Sequence, residues 1–172
     1  ISLPKSDFYR IDISENMDNY PMSWGIPCMR AFQSVVPVSI MEFYPTVGVT
    51  RDVASRAELS KFGLRGLFSV KYYFDYNDEN NEETKKFNLP GFEYYDKQNS
   101  FDVYENKHYV PMGFTFDEYM TQETYDAQNK DYRNRMLMKA IVLDDDQVLR
   151  NMDILRQITS EELNNISEQN YL

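Results

Sequence analysis

The stretch GLFSVKYYF, residues Gly66 to Phe74, is the part of the sequence that best indicates the fold. It is rich in β-branched and aromatic residues, which are frequent in strands, and its one charged residue is Lys71. A strand with so little polarity is typical of the centre of a sheet, where both faces are buried. We therefore predict that the central strand of this protein lies at Leu67 to Phe74.

Other strand candidates lie on both sides of this stretch. The segment from Asp7 to Ile13 alternates apolar and polar residues, which is the pattern of a half-buried strand. The segments Phe92 to Tyr95 and Ser100 to Glu105 flank four polar residues and predict an antiparallel hairpin. A further candidate near Tyr109 to Phe116 is interrupted by a proline and a glycine.

The polar segments between the strands predict loops and short helices. Turn-forming residues are dense from Ser14 to Pro27, which predicts a long loop. A short helix is expected from about Val38, directly after Pro37. Capping-box spacing within Arg51 to Lys61 predicts another short helix that ends near Gly63.

Helical periodicity dominates the final third of the chain. Apolar residues recur on one stripe from Tyr125 to Ala140, so Thr121 to Val142 is predicted as a helix. Gln147 to Ile158 fits either a helix or a strand, and Thr159 precedes a last short helix with capping-box spacing. Together these elements predict an α/β or α+β domain, with a mixed β-sheet, flanking helices and a helical C-terminal third.

The composition is that of a single globular domain covering residues 1–172. Hydrophobic residues make up 42% and charged residues 27% of the chain, close to globular averages. The 18 basic and 28 acidic residues give a net charge of −10, which argues against nucleic acid as a partner because phosphates are repelled. Its apolar runs are shorter than the roughly 20 residues of a membrane span, so a soluble domain is expected. A start at Ile1, without an initiator Met, predicts a domain excised from a larger protein.

The residues that carry catalytic or metal chemistry in other proteins are sparse here. His108 is the only histidine and has no base-orienting neighbour in sequence, so we predict a structural or surface role. Cys28 is the only cysteine, which excludes an internal disulfide. Asp144 to Asp146 lacks the pattern of a calcium loop and is predicted as a helix N-cap, and Asp78 to Glu83 as a solvated loop. We predict no catalytic residue, no metal and no cofactor in this chain.

Two other uses of the residues stay open at this point. Paired carboxylates of an independent hydrolase are one, because 28 acidic residues always offer pairs whose separation is not visible in sequence. An aromatic platform for sugars is the other, at Tyr72-Tyr73, Tyr94-Tyr95 and Phe43-Tyr44. Neighbouring strand residues face opposite sides of a sheet, however, which favours one ring in the core and one outside.

Six short segments between Asp7 and Phe116 occur in the order found in one known family. They are Phe8 to Ile11, Arg30 to Pro37, Phe43 to Gly48, Leu67 to Tyr72, Val103 to Asn106 and Pro111 to Phe114. In this order they resemble the YfhO-like family of bacterial membrane proteins. The resemblance implies a region that follows a bundle of transmembrane helices similar to multi-span glycosyltransferases that use lipid-linked sugars.

The resemblance also implies a location on the extracytoplasmic face of the cell membrane. The acidic residues expected to catalyse in that family lie in membrane-proximal loops that are absent here, so no catalytic residue is carried over. Among the matching residues, those predicted to shape the fold are Lys71, Tyr72, Asn106, Pro111 and Gly113. The polar cluster of Arg30, Gln33 and Ser34 is the predicted ligand contact.

The function that follows is that of a non-catalytic extracytoplasmic domain in a polytopic glycosyltransferase-like protein, involved in glycosylation of cell-envelope polymers. Its predicted partners are the transmembrane part of the parent protein and a glycan or envelope polymer. The alternative is a secreted or surface domain that binds glycan or protein through exposed aromatic residues. Whether the parent is a lipid-linked-sugar glycosyltransferase is left open by this chain.

Overall fold

The computed structural model describes residues 1–4, 8–32, 34–50, 54–77 and 88–168. Their helices and strands form an α+β arrangement, as predicted. In chain order they are β1 (Arg10–Ile13), α1 (Tyr20–Trp24), β2 (Ala31–Phe32), α2 (Val38–Thr46), β3 (Ala54–Ser55), α3 (Phe62–Leu67), β4 (Val70–Tyr76), β5 (Phe92–Gln98), β6 (Phe101–Asn106), β7 (Glu118–Thr121), α4 (Gln122–Ala127), α5 (Lys130–Met136), β8 (Ile141–Leu143), α6 (Asp145–Asn151), β9 (Arg156–Gln157) and α7 (Ser160–Glu168).

The largest described sheet is mixed and has the strand order β1-β4-β6-β5. Strand β1 pairs with β4 in parallel, whereas β4 with β6 and β6 with β5 are antiparallel. The predicted central strand is confirmed, since β4 has a partner on each side and Val70, Tyr72, Tyr73 and Phe74 are buried. It begins at Val70 because the preceding residues form α3, and Ser69 joins the two with φ +56°.

The two faces of this sheet bury different kinds of side chain. One face carries an apolar cluster that contains Ile11, Ile13, Tyr72, Phe74, Phe101 and Val103, against which Trp24 and Ile26 pack. The opposite face carries Asp12 and Tyr73, which are paired across β1 and β4. Helix α3 lies over that second face, because Arg65 bonds to Asp12. A charged side chain therefore enters the interior beside an apolar core.

The hairpin and loop predictions hold with changed boundaries. Strands β5 and β6 pair as predicted, but they leave a turn of two residues, Asn99 and Ser100, instead of four. The predicted loop from Ser14 to Pro27 contains the five-residue helix α1. The helix predicted from Arg51 to near Gly63 is wrong, because residues 54–55 pair with β2 as β3 and α3 begins at Phe62.

The C-terminal third is organised around a parallel sheet with the order β8-β7-β9. The predicted helix from Thr121 to Val142 is wrong as one element, since it divides into α4, α5 and β8. Gln128 is extended between the two helices, and the Asn129 side chain accepts a hydrogen bond from the Asp131 N–H, which starts α5 anew. Residues 109–116 form no strand, so that candidate is also wrong.

Helices α3 and α5 connect the part with the four-stranded sheet to the C-terminal third. Gly63 lies so close to Asn134 that a Cβ there would be 2.5 Å from the Asn134 carbonyl oxygen. The Gly63 N–H donates to Asn134 Oδ1 at 3.0 Å, and Lys61 Nζ lies 2.7 Å from Asp131 Oδ1. A larger residue at position 63 would separate the helices. None of the helices in the described part is long and apolar enough to cross a membrane.

Candidate functional site

The most unusual group of side chains surrounds the carboxylate of Asp12, which is buried on β1. Arg65 donates to Asp12 Oδ2 from Nε at 3.0 Å, and its Nη2 lies 2.8 Å from the same oxygen. Arg30 approaches Oδ1 through Nε at 3.4 Å. The Ile13 N–H also donates to Oδ1, at 2.9 Å. One buried carboxylate therefore faces two buried guanidinium groups.

The backbone beside β1 explains how Arg30 reaches this place. The Ile11 N–H donates to the Pro27 carbonyl at 2.9 Å, and the Met29 N–H donates to the Ile11 carbonyl at 2.9 Å. This short parallel contact holds residues 27–29 along β1, with an isolated bridge between Ile11 and Cys28. Arg30 follows directly and so enters the face that carries Asp12.

Arg65 is fully bonded. Its side chain has 0% exposure, and its Nη1 donates to the carbonyls of Glu58 and Lys61 at 3.0 and 3.3 Å. Its Nη2 donates to the Ala57 carbonyl at 3.1 Å. Arg65 therefore ties the loop before α3 to the sheet, a structural use of a buried charge.

Arg30 is bonded much less completely, although its side chain is only 4% exposed. Its backbone N–H donates to Cys28 Sγ at 3.3 Å, and its Nε makes the long contact to Asp12. In the described part of the chain its two terminal nitrogens make no hydrogen bond, and they are not among the fully buried atoms that lack a partner. Arg30 lines a cavity of about 250 Å³ together with Glu15, Asn16, Arg56, Ala57 and Glu58.

A second ion pair lies at the edge of this cavity. Arg56 donates to Asp18 from Nη2 at 2.6 Å and from Nε at 3.1 Å, a two-point contact with a carboxylate. Asp18 is 7% exposed, whereas Arg56 is 45% exposed. This pair is charge-balanced and extends the cluster from the interior to the surface.

The neutral groups near Asp12 stay neutral at physiological pH. Burial, and then the charge of Asp12, raise the pKa of the Cys28 thiol from 9.0 to about 12. Burial is also the main cause of the raised pKa of the Tyr73 hydroxyl, with Asp12 adding to it. Neither group supplies a second negative charge. The buried centre of Asp12, Arg30 and Arg65 therefore carries an excess of one positive charge.

One comparison with known proteins places this chain in a family. The family model described as "Bacterial membrane protein YfhO" matches residues 2–172. The chain belongs to this family. No curated protein and no solved structure matches the chain. The YfhO-like resemblance of the six segments is therefore confirmed, and the match extends past them into the C-terminal third.

The predicted ligand contacts in this YfhO-family chain are Arg30, Gln33 and Ser34. Of the two that the structure describes, only Arg30 lines the cavity. Ser34 is exposed in a bend, and Gln33 lies outside the described residues. The ligand contact stays a prediction. Sequence reasoning missed Asp12 and Arg65, although each offered a signal: a charge among the apolar residues of β1, and an arginine just before the most apolar strand.

The YfhO-family residues predicted to shape the fold lie away from this cavity. Lys71 Nζ is 5.5 to 5.8 Å from the ring centroids of Tyr9, Tyr72 and Tyr109. Asn106 is buried, and its Nδ2 donates to the Val70 carbonyl at 2.9 Å. The remaining two, Pro111 and Gly113, are exposed in the segment before β7. Their architectural role stays a prediction.

The other side chains considered for chemistry have structural surroundings. The His108 ring lies over Gly91, where a Cβ would be 2.1 Å from His108 Cδ2. Asp144 caps α6 in a capping box with Gln147, as predicted. Asp78 to Glu83 lies outside the described residues. The described part of the chain contains no group of three or more His, Cys, Asp or Glu side chains that could hold a metal ion.

The prediction that each aromatic pair on a strand places one ring in the core and one outside is wrong. Tyr72 and Tyr73 are both buried, on opposite faces of β4. Tyr94 is 61% exposed and contacts Tyr104 edge to face at 5.9 Å. Tyr95 is 42% exposed and contacts Tyr72 at 5.1 Å on the other side. The exposed rings therefore do not share one flat platform.

Proposed function

We propose that this chain is a non-catalytic extracytoplasmic domain of a polytopic, glycosyltransferase-like protein of the YfhO family. Its task is to assist recognition of the cell-envelope polymer that receives a sugar. The observation that carries the recognition role is the incompletely bonded Arg30 guanidinium, which lines an open cavity instead of ending in the core. A buried guanidinium that still has unused N–H donors beside a cavity supports a use in binding.

Family membership supports the connection to a membrane protein. The match covers residues 2–172, and the family is one of bacterial membrane proteins. The extracytoplasmic face and the glycosyltransferase-like parent come from the resemblance of the six segments, and both are part of this proposal.

An exposed apolar segment supports contact with the membrane part of the parent. Phe32, Val35, Val38 and Met41 are 49%, 85%, 70% and 43% exposed within ten residues. The sequence from 31 to 50 contains one acidic residue, Glu42, and no basic residue, in a chain of net charge −10. Exposed apolar side chains with so little charge are typical of protein interfaces. We assign this segment to the interface with the transmembrane part.

The recognition role is tested in the full-length parent protein in its own bacterium. One strain produces the intact parent, and a second produces the parent without residues 2–172. Immunoblots of the membrane fraction establish equal amounts of both proteins, and the sugar content of the envelope polymer is then measured. We expect the truncated protein to lose most of the product. An unchanged sugar content at equal protein amounts would contradict the role.

The location is tested separately with a membrane-impermeant thiol reagent. In a Cys28→Ala background, Ser100→Cys places a thiol in the exposed turn between β5 and β6. We expect this thiol to react in intact cells as completely as in lysed cells. Reaction after lysis only would place the domain in the cytoplasm and contradict the proposal.

One observation favours a second candidate function, binding of neutral glycan at an exposed tyrosine. Tyr94 is 61% exposed on β5, and a flat ring of this kind can stack on a sugar. Tyr94→Ala would then abolish binding of the chain to a glycan array, while Tyr20→Ala, which removes a ring that is 54% exposed elsewhere, would not. Equal binding by both variants would exclude this function.

A further inference from the structure

We propose that the cavity beside Arg30 binds one anionic oxygen group, a phosphate or a carboxylate, on a ligand that also carries hydroxyl groups. The inference rests on the proposed function, because the ligand would be the charged part of the acceptor polymer. To the proposed function it adds the chemical class of ligand that this site binds.

The buried centre contains more positive than negative charge. Asp12, Arg30 and Arg65 have side chains that are 2%, 4% and 0% exposed. One negative charge faces two positive charges in a region with little water. An uncompensated buried charge is unfavourable, so the centre favours a further negative group.

Two other well-buried arginines of the described chain use their terminal nitrogens more completely than Arg30. Arg65 uses its terminal nitrogens on three backbone carbonyls. Arg133 is 7% exposed and donates to the carbonyls of Gln128, Thr46 and Asp126 at 3.1, 3.0 and 2.8 Å. Arg30 has no such acceptors among the described residues. Its two terminal nitrogens therefore stay available as a planar fork of N–H donors, which can bind a carboxylate or a phosphate at two points.

The rim of the cavity limits which ligand can bind. Glu15, Asn16 and Glu58 line it and are exposed, and Glu58 Oε2 accepts a hydrogen bond from Ser60 at 3.1 Å. Two carboxylates at the rim repel a second anionic group but accept hydrogen bonds from hydroxyls. Arg56 is held by Asp18 and does not add net charge. The site therefore suits a single anion next to a polyol or sugar.

The test uses three matched probes and the 172-residue chain. Glucose 6-phosphate and glucuronate each carry an anionic group on a sugar, whereas glucose carries none. Each is titrated into the ¹⁵N-labelled chain, and amide chemical shifts are followed. We expect one or both anions to shift the amides of Glu15, Asn16, Ala57 and Glu58, and glucose to leave them unchanged. The stronger of the two anions distinguishes a phosphate source from a carboxylate source.

Three variants distinguish a specific contact between the anion and Arg30 from a general effect of the net charge of the chain. Arg30→Gln should weaken anion binding about tenfold or more, because charge-assisted hydrogen bonds are lost. Arg150→Gln makes the same change in net charge at an exposed position of α6 and should alter binding by less than about twofold. Glu58→Gln removes a negative charge from the rim and should tighten binding, and it leaves the buried centre intact.

Three results would overturn the inference. They are equal affinity of Arg30→Gln and the unchanged chain, weaker binding by Glu58→Gln, and shifts by glucose that match those by the anions. If Arg30→Gln does not fold, the Glu58→Gln and glucose results still decide. Failure here with loss of glycosylation on domain deletion would reject only the anion site. Anion binding with unchanged glycosylation would reject only the acceptor role.

Discussion

Two charged clusters in this molecule differ in charge balance and in access to water. At Asp12, one carboxylate faces Arg30 and Arg65, and all three side chains are at most 4% exposed. At Glu118, the carboxylate contacts Arg156 and Lys139, each 51% exposed, and Arg156 also contacts Glu162.

The cluster at Glu118 has two negative and two positive charges, and it joins β7, β9 and the first turn of α7. It stabilises the packing of the C-terminal third, and its one buried oxygen without a hydrogen bond in the described chain, Glu118 Oε2, is 3.3 Å from Lys139 Nζ in an ion pair. The cluster at Asp12 contains one guanidinium more than its structure uses. A buried charge whose hydrogen-bonding capacity is only partly used is therefore a better indication of a binding site than a rich network of ion pairs.

The largest effect is expected from Asp12→Asn. This change leaves two buried guanidiniums with no carboxylate and should lower the free energy of unfolding by about 3 to 5 kcal/mol. Glu118→Gln is the matched change in the cluster at Glu118. It should lower the free energy of unfolding by about 1 to 3 kcal/mol, because water reaches the partners of Glu118. Urea denaturation of both variants measures the difference. Equal losses would remove the distinction between the clusters.

The next effect separates the two arginines that face Asp12. Arg65→Met leaves the carbonyls of Ala57, Glu58 and Lys61 without a donor and should cost about 3 kcal/mol. Arg30→Met removes one long contact and the excess charge, while Asp12 keeps Arg65 and the Ile13 N–H. Its stability should stay within about 1 kcal/mol of the unchanged chain. A loss at Arg30 as large as that at Arg65 would show that Arg30 is structural.

A smaller effect concerns how the stability supplied by the cluster at Glu118 depends on pH. Hydrogen bonds from Arg156, and then from the N–H and hydroxyl of Thr159, lower the pKa of Glu162 from its ordinary 4.5 to about 2. Since the folded pKa is the lower one, this stabilisation is present above pH 4.5 and is lost as the pH falls towards 2. Thermal unfolding of the chain and of Glu162→Gln should therefore differ at pH 7 and converge near pH 2. A constant difference across that range would show that Glu162 is not stabilised as an anion.

The smallest effect is on the reactivity of the Cys28 thiol, which is sensitive to the charge of Asp12. With a pKa of about 12, the thiol is protonated at neutral pH and should react slowly with iodoacetamide in the folded chain. Asp12→Asn removes a nearby negative charge and should increase the rate at pH 8, if the variant is compared at a temperature where it stays folded. A folded chain that reacts as fast as the urea-unfolded chain would contradict the burial of this thiol.

Local patterns predicted the elements whose stability depends on their own residues. The central strand β4, the β5-β6 hairpin and α2 follow from apolar runs, alternation and Pro37. The helix predicted from Thr121 to Val142 failed because its ends are taken into a parallel sheet. Strands β7 and β8 pair with each other at Tyr119 and Ile141, and periodicity within one segment does not show such a pairing.

For the candidate site, sequence reasoning found Arg30 and missed its surroundings. Asp12 lies 18 residues before Arg30 and 53 residues before Arg65. No pattern within a short window relates them. The packing of α3 on the sheet brings Arg65 to this carboxylate, and the pairing of residues 27–29 along β1 brings Arg30.

By itself, the amino-acid sequence determined the family, the acidic charge and the local starts of several elements, including the N-cap of α6 at Asp144. These properties depend on composition and on residues within a few positions of each other. The tertiary structure alone decided that the C-terminal third contains a parallel sheet and that the one carboxylate of Asp12 faces two buried guanidinium groups. Strand pairing and charge balance in the interior depend on residues that are distant in sequence, so they exist only once the chain has folded.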